Sequence, residues 1–372
     1  MGWLASRLDI LDSEHTYVNT VGKGLVFKHC DEWVAKHNAE IAALMALFVE
    51  RTTENFEEKY LLPGGGKLQR LTMGAPATAV KRYGSYTVGF QLNKYGAVLA
   101  GDEDTFGYMS IRELEVQIDN ILIQDLNMTR YRILVSLFEN DNLAFTDPYR
   151  ANAPTTVTRL ANTDGSLYPP KVGSETEAED QHYREGAFSV AEMEDANPNF
   201  NPVAILVGEI AEHFGGIGTT GRNFVYFHGT DQTPKLKLFT DYVPAEQTKV
   251  QLGDDTARMR AGWPAVPGTI HGVSSGAYLS EWAWMPATYG LCILVGVPAP
   301  LIMRVHPART GLGQGLILVS TDEHHPVTQM HYKHDYGFGC GNRLGAAIIE
   351  ISDEQGAEAY APPAAYAESA GA

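Results

Sequence analysis

Residues 110–139 contain neither glycine nor proline, and they open with Ser110-Ile111-Arg112-Glu113. A serine followed three residues later by a glutamate is a capping box, in which each side chain satisfies the other's backbone amide at a helix start. Apolar residues then recur at Ile111, Leu114, Ile118, Ile121 and Leu122, and again at Tyr131, Leu134, Val135 and Phe138. That is the spacing of a helix with a buried face. A run of this length makes about 45 Å of helix at 1.5 Å per residue, a spine around which the rest of the chain must be arranged. The sequon Asn127-Met128-Thr129 lies inside it. A glycosylated asparagine belongs on a surface loop of a secreted protein, so this match reads as chance.

Upstream, residues 1–30 show no period and read as an extended arm. Trp33, His37, Ile41, Leu44, Met45 and Phe48 predict an amphipathic helix over residues 31–49. Pro63-Gly64-Gly65-Gly66 reads as a hinge. Beyond it Tyr86, Val88, Phe90 and Leu92 alternate with Thr87, Gly89, Gln91 and Asn93, and Lys94-Tyr95-Gly96 turns the chain into 97–100. This period of two predicts a two-stranded ribbon, with basic residues at Arg70, Lys81, Arg82 and Lys94. Such a ribbon is marginal alone and needs a neighbouring surface, from its own domain or from another subunit.

Downstream, turn residues (Asp147-Pro148, Ala153-Pro154, Asp164-Gly165) surround a short strand over 155–160. Residues 171–186 read as a mobile acidic loop. A helix opens at Asn201-Pro202, with asparagine at the cap and proline at the first turn, and stops at Gly215-Gly216. NFVYFHG, KLKLFTDYV, the 281–305 region, GLILVSTDE and AAIIEI read as strands. The tail from Asp353 is rich in Ala, Pro and Glu and reads as extended or disordered.

The 372 residues are 44% hydrophobic and carry a net charge of −17. The length allows more than one domain-sized unit. The charge argues against a nucleic-acid clamp, which needs Lys and Arg against phosphates; it suits a wall that must not adhere to DNA, and equally an ordinary soluble surface. Cys30, Cys292 and Cys340 are odd in number and far apart, so neither a disulfide framework nor a zinc spacing follows. MGWLASRLDILDSEH has no basic or apolar leader segment, and no stretch approaches the ~20 apolar residues of a membrane helix. Neither a secretory signal nor a membrane span is expected.

Three patterns could carry chemistry. Gly216-Ile217-Gly218-Thr219-Thr220-Gly221 matches the dinucleotide fingerprint, but a helix precedes it and a strand follows, the reverse of what such a site needs. Gly272-Val273-Ser274-Ser275-Gly276 matches a nucleophile elbow, with Asp322 and His324 or His325 available to complete a triad, but the flanks read as loop and strand where strand and helix are required. His324, His325, His331 and His334 cluster with Asp322, Glu323 and Asp335, at a spacing that fits no standard metal motif. No catalytic, cofactor-binding or metal-binding residue is assigned, and no cofactor is expected.

An arm, a basic ribbon, a long spine helix and a β-rich body follow one another in this order. That order, and the phrases VTRLANTDGSLYPP and SEWAWMPATYGLCILVGVPAPLIMRVHPARTGLGQGLILVSTDEHHPVTQMHYKHDYGFGCGNRLGAAIIEI, resemble the major capsid proteins of tailed bacteriophages, of the Hong Kong 97 type. The resemblance covers nearly the whole chain. It implies an α+β fold: residues 1–65 as N-terminal arm and helix, 66–105 as the extended E-loop, 106–165 with 325–352 as a discontinuous P-domain, 166–324 as the A-domain with a central sheet flanked by helices, and 353–372 as a tail.

The resemblance implies a structural protein and not an enzyme. It would self-assemble into hexamers and pentamers of an icosahedral head, built in the bacterial host cytoplasm, around double-stranded DNA held without sequence-specific binding. Portal, scaffolding and decoration proteins would be its partners, and no membrane. The arm is too short to carry a long fused scaffold. The expected assembly residues are Arg70, Lys81, Arg82, Tyr86, Phe90, Lys94, Arg112 and Glu113. Some relatives cross-link an E-loop lysine to a P-domain asparagine; Lys67, Lys81, Lys94 and Asn342 are candidates, and nothing selects among them. An encapsulin-like nanocompartment shell is the nearest alternative, and a serine hydrolase using Ser274 the more distant one.

Overall fold

The computed structural model describes residues 16–62, 84–161, 165, 167–172, 174, 178–214, 223–245, 266–307, 315–324, 327–352 and 360–367. The chain divides into two compact units. The first comprises residues 1–45, 92–132 and 304–337, and the second residues 46–91, 133–303 and 338–372.

The first unit holds α1 (Val18–Val21), α2 (Lys23–Met45), β4 (Asn93–Asp102), α3 (Glu103–Tyr108), most of α4 (Ile111–Phe138), β16 (Ile317–His324) and most of β17 (Val327–Cys340). The capping box forms as its sequence requires. The Ser110 amide donates to Glu113 Oε2 at 2.9 Å, and the Glu113 amide donates to Ser110 Oγ at 3.2 Å. The expected helix at 31–49 starts earlier, at Lys23, and ends at Met45. Val26 and Cys30 extend the stripe of Trp33 and Val34 at helical spacing, so part of the expected arm is helix. That stripe packs with Ile111, Leu114, Ile118 and Leu122 of α4 and with Leu99, Met330 and Tyr332 of the strands.

β4 pairs antiparallel with β17 from Asn93↔Tyr336 to Asp102↔Val327, and β16 pairs on the other side of β17. The expected two-stranded ribbon therefore needs correction. β3 (Gly84–Gly89) does not turn back into β4. It pairs antiparallel with β2 (Glu57–Leu62), in register Glu57↔Gly89 to Leu62↔Gly84. β2 lies before Pro63, in a stretch where the sequence predicts no strand. The apolar face of residues 97–102 finds a better surface on β17, where Leu99 sits opposite Met330 inside the core.

The second unit is built on a seven-stranded mixed sheet in the order β11-β12-β13-β10-β14-β18-β9. Its strands are β9 (Tyr183–Ala187), β10 (Phe224–His228), β11 (Val243–Pro244), β12 (Thr269–Ser274), β13 (Ala277–Glu281), β14 (Tyr289–Leu294) and β18 (Ala346–Ser352). β10 lies parallel to β13 and antiparallel to β14, and every residue of β10 is buried. This accounts for a continuous apolar run where a one-sided strand would alternate. α5 (Pro202–Phe214) covers one face, and Asn201 caps it by accepting from the Ala204 amide at 3.0 Å. Val203, Leu206 and Ile210 pack on Phe224, Tyr226, Leu279, Cys292, Leu294 and Ile349. Each such side chain contributes about 1.5–3 kcal/mol by leaving water.

A four-stranded sheet in the order β2-β3-β6-β5 includes β5 (Leu143–Asp147) and β6 (Ala153–Val157). β1 (Val49–Thr53), β15 (Leu301–Val305) and the two-residue ladder of β7 (Leu167–Tyr168) with β8 (Ala178–Glu179) complete the strands.

Three further expectations change. KLKLFTDYV is strand only at its last residue, Val243 of β11: α6 (Thr233–Leu236) and turns occupy the rest, because Leu236 and Phe239 enter the core three residues apart, a helical spacing. The acidic loop is partly strand: β9 runs parallel to β18 at the sheet edge, held by Arg184 donating from Nε and Nη2 to both oxygens of Glu209 at 2.9 and 3.0 Å. The tail is anchored where it is described. Tyr360 and Tyr366 are buried, and their hydroxyls donate to the carbonyls of Phe138 and Trp284 at 2.7 and 2.5 Å.

Candidate assembly surface and polar clusters

The base of the β2–β3 ribbon is organised by Glu58. Its carboxylate accepts from Arg51, from Thr53 Oγ1 at 2.9 Å, from Asn55 Nδ2 at 3.0 Å and from the Tyr60 hydroxyl at 3.1 Å. Desolvation raises the Glu58 pKa, but hydrogen bonds from Arg51, Asn55 and Thr53 outweigh it and bring the group down to about 2. One strand pair further along, Tyr60 and Tyr86 stack, and the Tyr86 hydroxyl donates to the Gly341 carbonyl at 2.9 Å. The stem of the ribbon is thus locked to its own unit, and residues 63–83 between its strands lie outside the described residues.

Of the expected assembly residues, Arg70, Lys81 and Arg82 fall in that stretch. Tyr86 is half-buried. Phe90 is fully buried with Val88 and Ile302, so it serves the core of the second unit and presents no surface. Lys94, Arg112 and Glu113 are exposed. Lys94 sits on β4 opposite Asp335, away from the ribbon where it was expected, and Glu113 is engaged in the capping box. Of the cross-linking candidates, Lys67 and Lys81 lie outside the described residues. Asn342 caps a short helical turn by accepting from the Leu344 amide at 3.2 Å.

The first unit carries exposed apolar side chains on its long helix: Val116 is 55% and Ile123 48% exposed, and their seven-residue separation puts them on one face. Ile123 also lines a groove of about 560 Å³ with Trp33, Lys36, Glu40, Asp119 and Leu126. Tyr108, Val98 and Val319 of the same unit are also at least half exposed.

The sequence also hid a buried polar group in this unit. His37 Nε2 lies 3.0 Å from Asp125 Oδ2, and His334 Nδ1 lies 2.7 Å from Asp125 Oδ1. Burial alone would raise the Asp125 pKa; the two imidazoles overcome this and hold it below the usual range. His334 therefore leaves the expected 324–334 cluster for a core partnership. In strand order its side chain alternates with His331 and Lys333. Asp335 meets Lys333 Nζ at 3.0 Å. His325 lies outside the described residues.

Ser274 is not on a nucleophile elbow. It ends β12, Ser275 and Gly276 turn with positive φ of 50° and 84°, and β13 follows. The motif is the tip of a β-hairpin, whereas an elbow leads from strand to helix. The Ser274 hydroxyl donates to Asp241 Oδ1 at 2.5 Å, so its proton goes to a carboxylate. The 216–221 glycine pattern lies outside the described residues.

Two clusters of the second unit were not singled out from sequence. His228 Nε2 and His271 Nε2 are 2.9 Å apart, and the Tyr242 hydroxyl lies 3.3 Å from His271 Nδ1. Burial and the neighbouring His228 push His271 down to about 4. Asp180, His182 and His213 bring three potential metal-ligand atoms within 4.8 Å of one another. Asp180 and His182 lie in the connection before β9, and His213, 33 and 31 residues further on, lies in the last turn of α5, so nothing local in the sequence joins them.

No protein-family model matches the sequence, and no curated protein matches it. Among solved structures, one described as Mycobacterium phage Patience superposes with a TM-score of 0.67 at 19% identity, over 91% of this chain and 89% of that one. The bacteriophage PhiM1 mature capsid aligns at a TM-score of 0.47 and 10% identity over 84% and 88% of the two chains. A virus-like particle from Pyrococcus furiosus aligns at 0.41 and 12% over 87% and 99%. The chain shares its α+β fold with the structure described as Mycobacterium phage Patience. No helix among the described residues is long and apolar enough to cross a membrane.

Proposed function

We propose that this chain is the major capsid protein of a bacteriophage, a shell subunit whose role is structural. The observation that carries this reading is the fold shared with the Mycobacterium phage Patience structure over nine-tenths of both chains. Three features of the molecule support it. The β2–β3 ribbon is fixed at its base by the hydrogen bonds to Glu58 and by the Tyr60–Tyr86 stack. Val116 and Ile123 stand exposed on one face of α4, where a neighbouring copy could cover them. The net charge of −17 disfavours adhesion of the wall to packaged DNA.

In this reading the extended E-loop is the β2–β3 ribbon, residues 57–89. β4 and α4 belong to the P-domain, and the seven-stranded sheet with α5 belongs to the A-domain. Copies meet through heterologous contacts that close into rings of five and six, and several modest interfaces per copy add to a stable wall. Portal, scaffolding and decoration proteins would be its partners in a head filled with double-stranded DNA. Sedimentation velocity of the full chain tests this. Species of five or six copies, or whole shells, support it; a single monomeric boundary at all concentrations and ionic strengths contradicts it.

A further inference from the structure

Three side chains of the second unit converge with the chemistry of a metal centre. Asp180 precedes β9, His182 lies between Asp180 and β9, and His213 is in the last turn of α5. Their ligand atoms all lie within 4.8 Å of one another. Ligands of a tetrahedral zinc-type ion sit about 3.3 Å apart at bonds of about 2.0–2.1 Å, so the widest pair closes by at most about 1.5 Å while the His213 Nε2–Asp180 Oδ2 pair, now 2.7 Å, opens slightly.

Each side chain is already oriented. The Gln181 amide donates to Asp180 Oδ1 at 2.8 Å, which leaves Oδ2 for the cluster. His182 Nδ1 lies 3.1 Å from the Ala346 carbonyl. A carbonyl only accepts, so Nδ1 carries the hydrogen and Nε2 presents its lone pair. That Nε2 is buried and has no hydrogen-bond partner, and His182 is fully buried. The Tyr168 ring stacks on His182 at 5.4 Å and fixes its plane. A buried lone pair with no partner is unfavourable, and nothing in the shell role calls for it.

Lys171 sits at the open side. Its Nζ is 3.2 Å from Asp180 Oδ2 and 2.6 Å from Glu212 Oε1. Glu212 Oε1 in turn lies 3.8 Å from His213 Nε2. Two carboxylates with one ammonium leave a charge of about −1, and a divalent cation with Lys171 swung into solvent leaves none. His213 Nε2 is 2.7 Å from Asp180 Oδ2. On binding, the metal takes the place of the hydrogen on that contact: a neutral ring moves it to Nδ1, and a protonated ring gives it up to solvent.

We propose that Asp180, His182 and His213, with Glu212 beside them, bind a divalent cation of the zinc type, and that Lys171 is the counter-charge it displaces. Two imidazoles and a carboxylate select zinc-like ions over magnesium or calcium, which prefer all-oxygen sites. The proposal goes beyond the shell reading and stands whether or not the protein assembles.

The probe is Co²⁺ titrated into the full chain and followed by its visible d–d absorption. One equivalent is expected to give the intense bands of a four-coordinate site. Asp180→Asn and His182→Gln are each expected to weaken binding at least about tenfold, and Lys171→Met to tighten it about tenfold. A variant with His324, His325 and His331 changed to Gln is expected to keep the bands. Bands that survive unchanged in Asp180→Asn overturn the proposal. Because His182 is buried its variant can misfold; Lys171 is on the exposed flank, and absence of any bands in Lys171→Met overturns the proposal by itself.

Discussion

Tyr60 and Tyr86 face each other across β2 and β3, their ring centroids 5.2 Å apart and their planes 15° from parallel. The pair joins a feature of one strand to the rest of its unit, because the Tyr86 hydroxyl reaches the Gly341 carbonyl. Tyr86→Phe keeps the stack and removes that bond. It is expected to lower unfolding free energy by about 1 kcal/mol, read from urea denaturation with an unchanged slope. Tyr86→Ala removes both the bond and the aromatic pair and is expected to cost about 2–4 kcal/mol.

The residues between β2 and β3 can be replaced without touching that stem. Replacing residues 64–82 by a short Asn-Gly turn joins β2 to β3 in their observed register. The account expects a folded protein with the parent's circular dichroism and no closed shells. Shells of normal size from this variant would remove the ribbon from the assembly mechanism. A longer deletion over 75–100 is a poor test: it takes away β3, most of β4 and the core residues Val88, Phe90 and Leu99.

Acid is expected to weaken the fold in two separable windows. His182 and His271 are held down to about 3 and about 4 from 6.5. Below pH 6.5 the unfolded chain binds protons that the folded chain refuses, so stability falls from there down to the folded values. Glu58 works in a lower window. Its pKa is about 2 against 4.5, so its contribution is complete above about 4.5 and is lost as pH falls toward 2. Thermal melts between pH 7 and 5, above the range where the Glu58 contribution is lost, test the first window. His271→Gln is expected to flatten that decline, and Glu58→Gln to leave it unchanged.

The cap of the long helix offers a local check. Ser110→Ala removes the hydroxyl that accepts from the Glu113 amide. A loss of about 1 kcal/mol is expected, with Ser110→Thr largely restoring it. A change below 0.3 kcal/mol, roughly the precision at which such caps are resolved, would mean the helix is held by its packing alone.

How much of this was legible depends on the range of the interactions involved. α4 and α5 announce themselves because Ser110 with Glu113 and Asn201 with Pro202 are local signals. The alternation around Tyr86–Phe90 correctly marks a strand, but period two carries no record of the partner. Gly89 pairs with Glu57 and Lys94 with Asp335, and neither partner is set by the intervening turn. The same limit hid the polar clusters. His37, Asp125 and His334 stand 88 and 209 residues apart, and Asp180 and His213 are joined only by the fold. The cluster that sequence proximity did suggest, His324 to His334, is divided by strand alternation. The GxSxG pattern misleads because the residues after Gly276 are β-strand, as their aromatic and aliphatic character had indicated.

The central claim is that copies of this chain close into a shell. Electron microscopy of the full-length protein after size-exclusion chromatography tests it most directly. The account predicts icosahedral particles tens of nanometres across, or rings of five and six subunits that convert to them. A monodisperse monomer that forms neither, alone or with its producing cell's lysate as a source of scaffold, would contradict it.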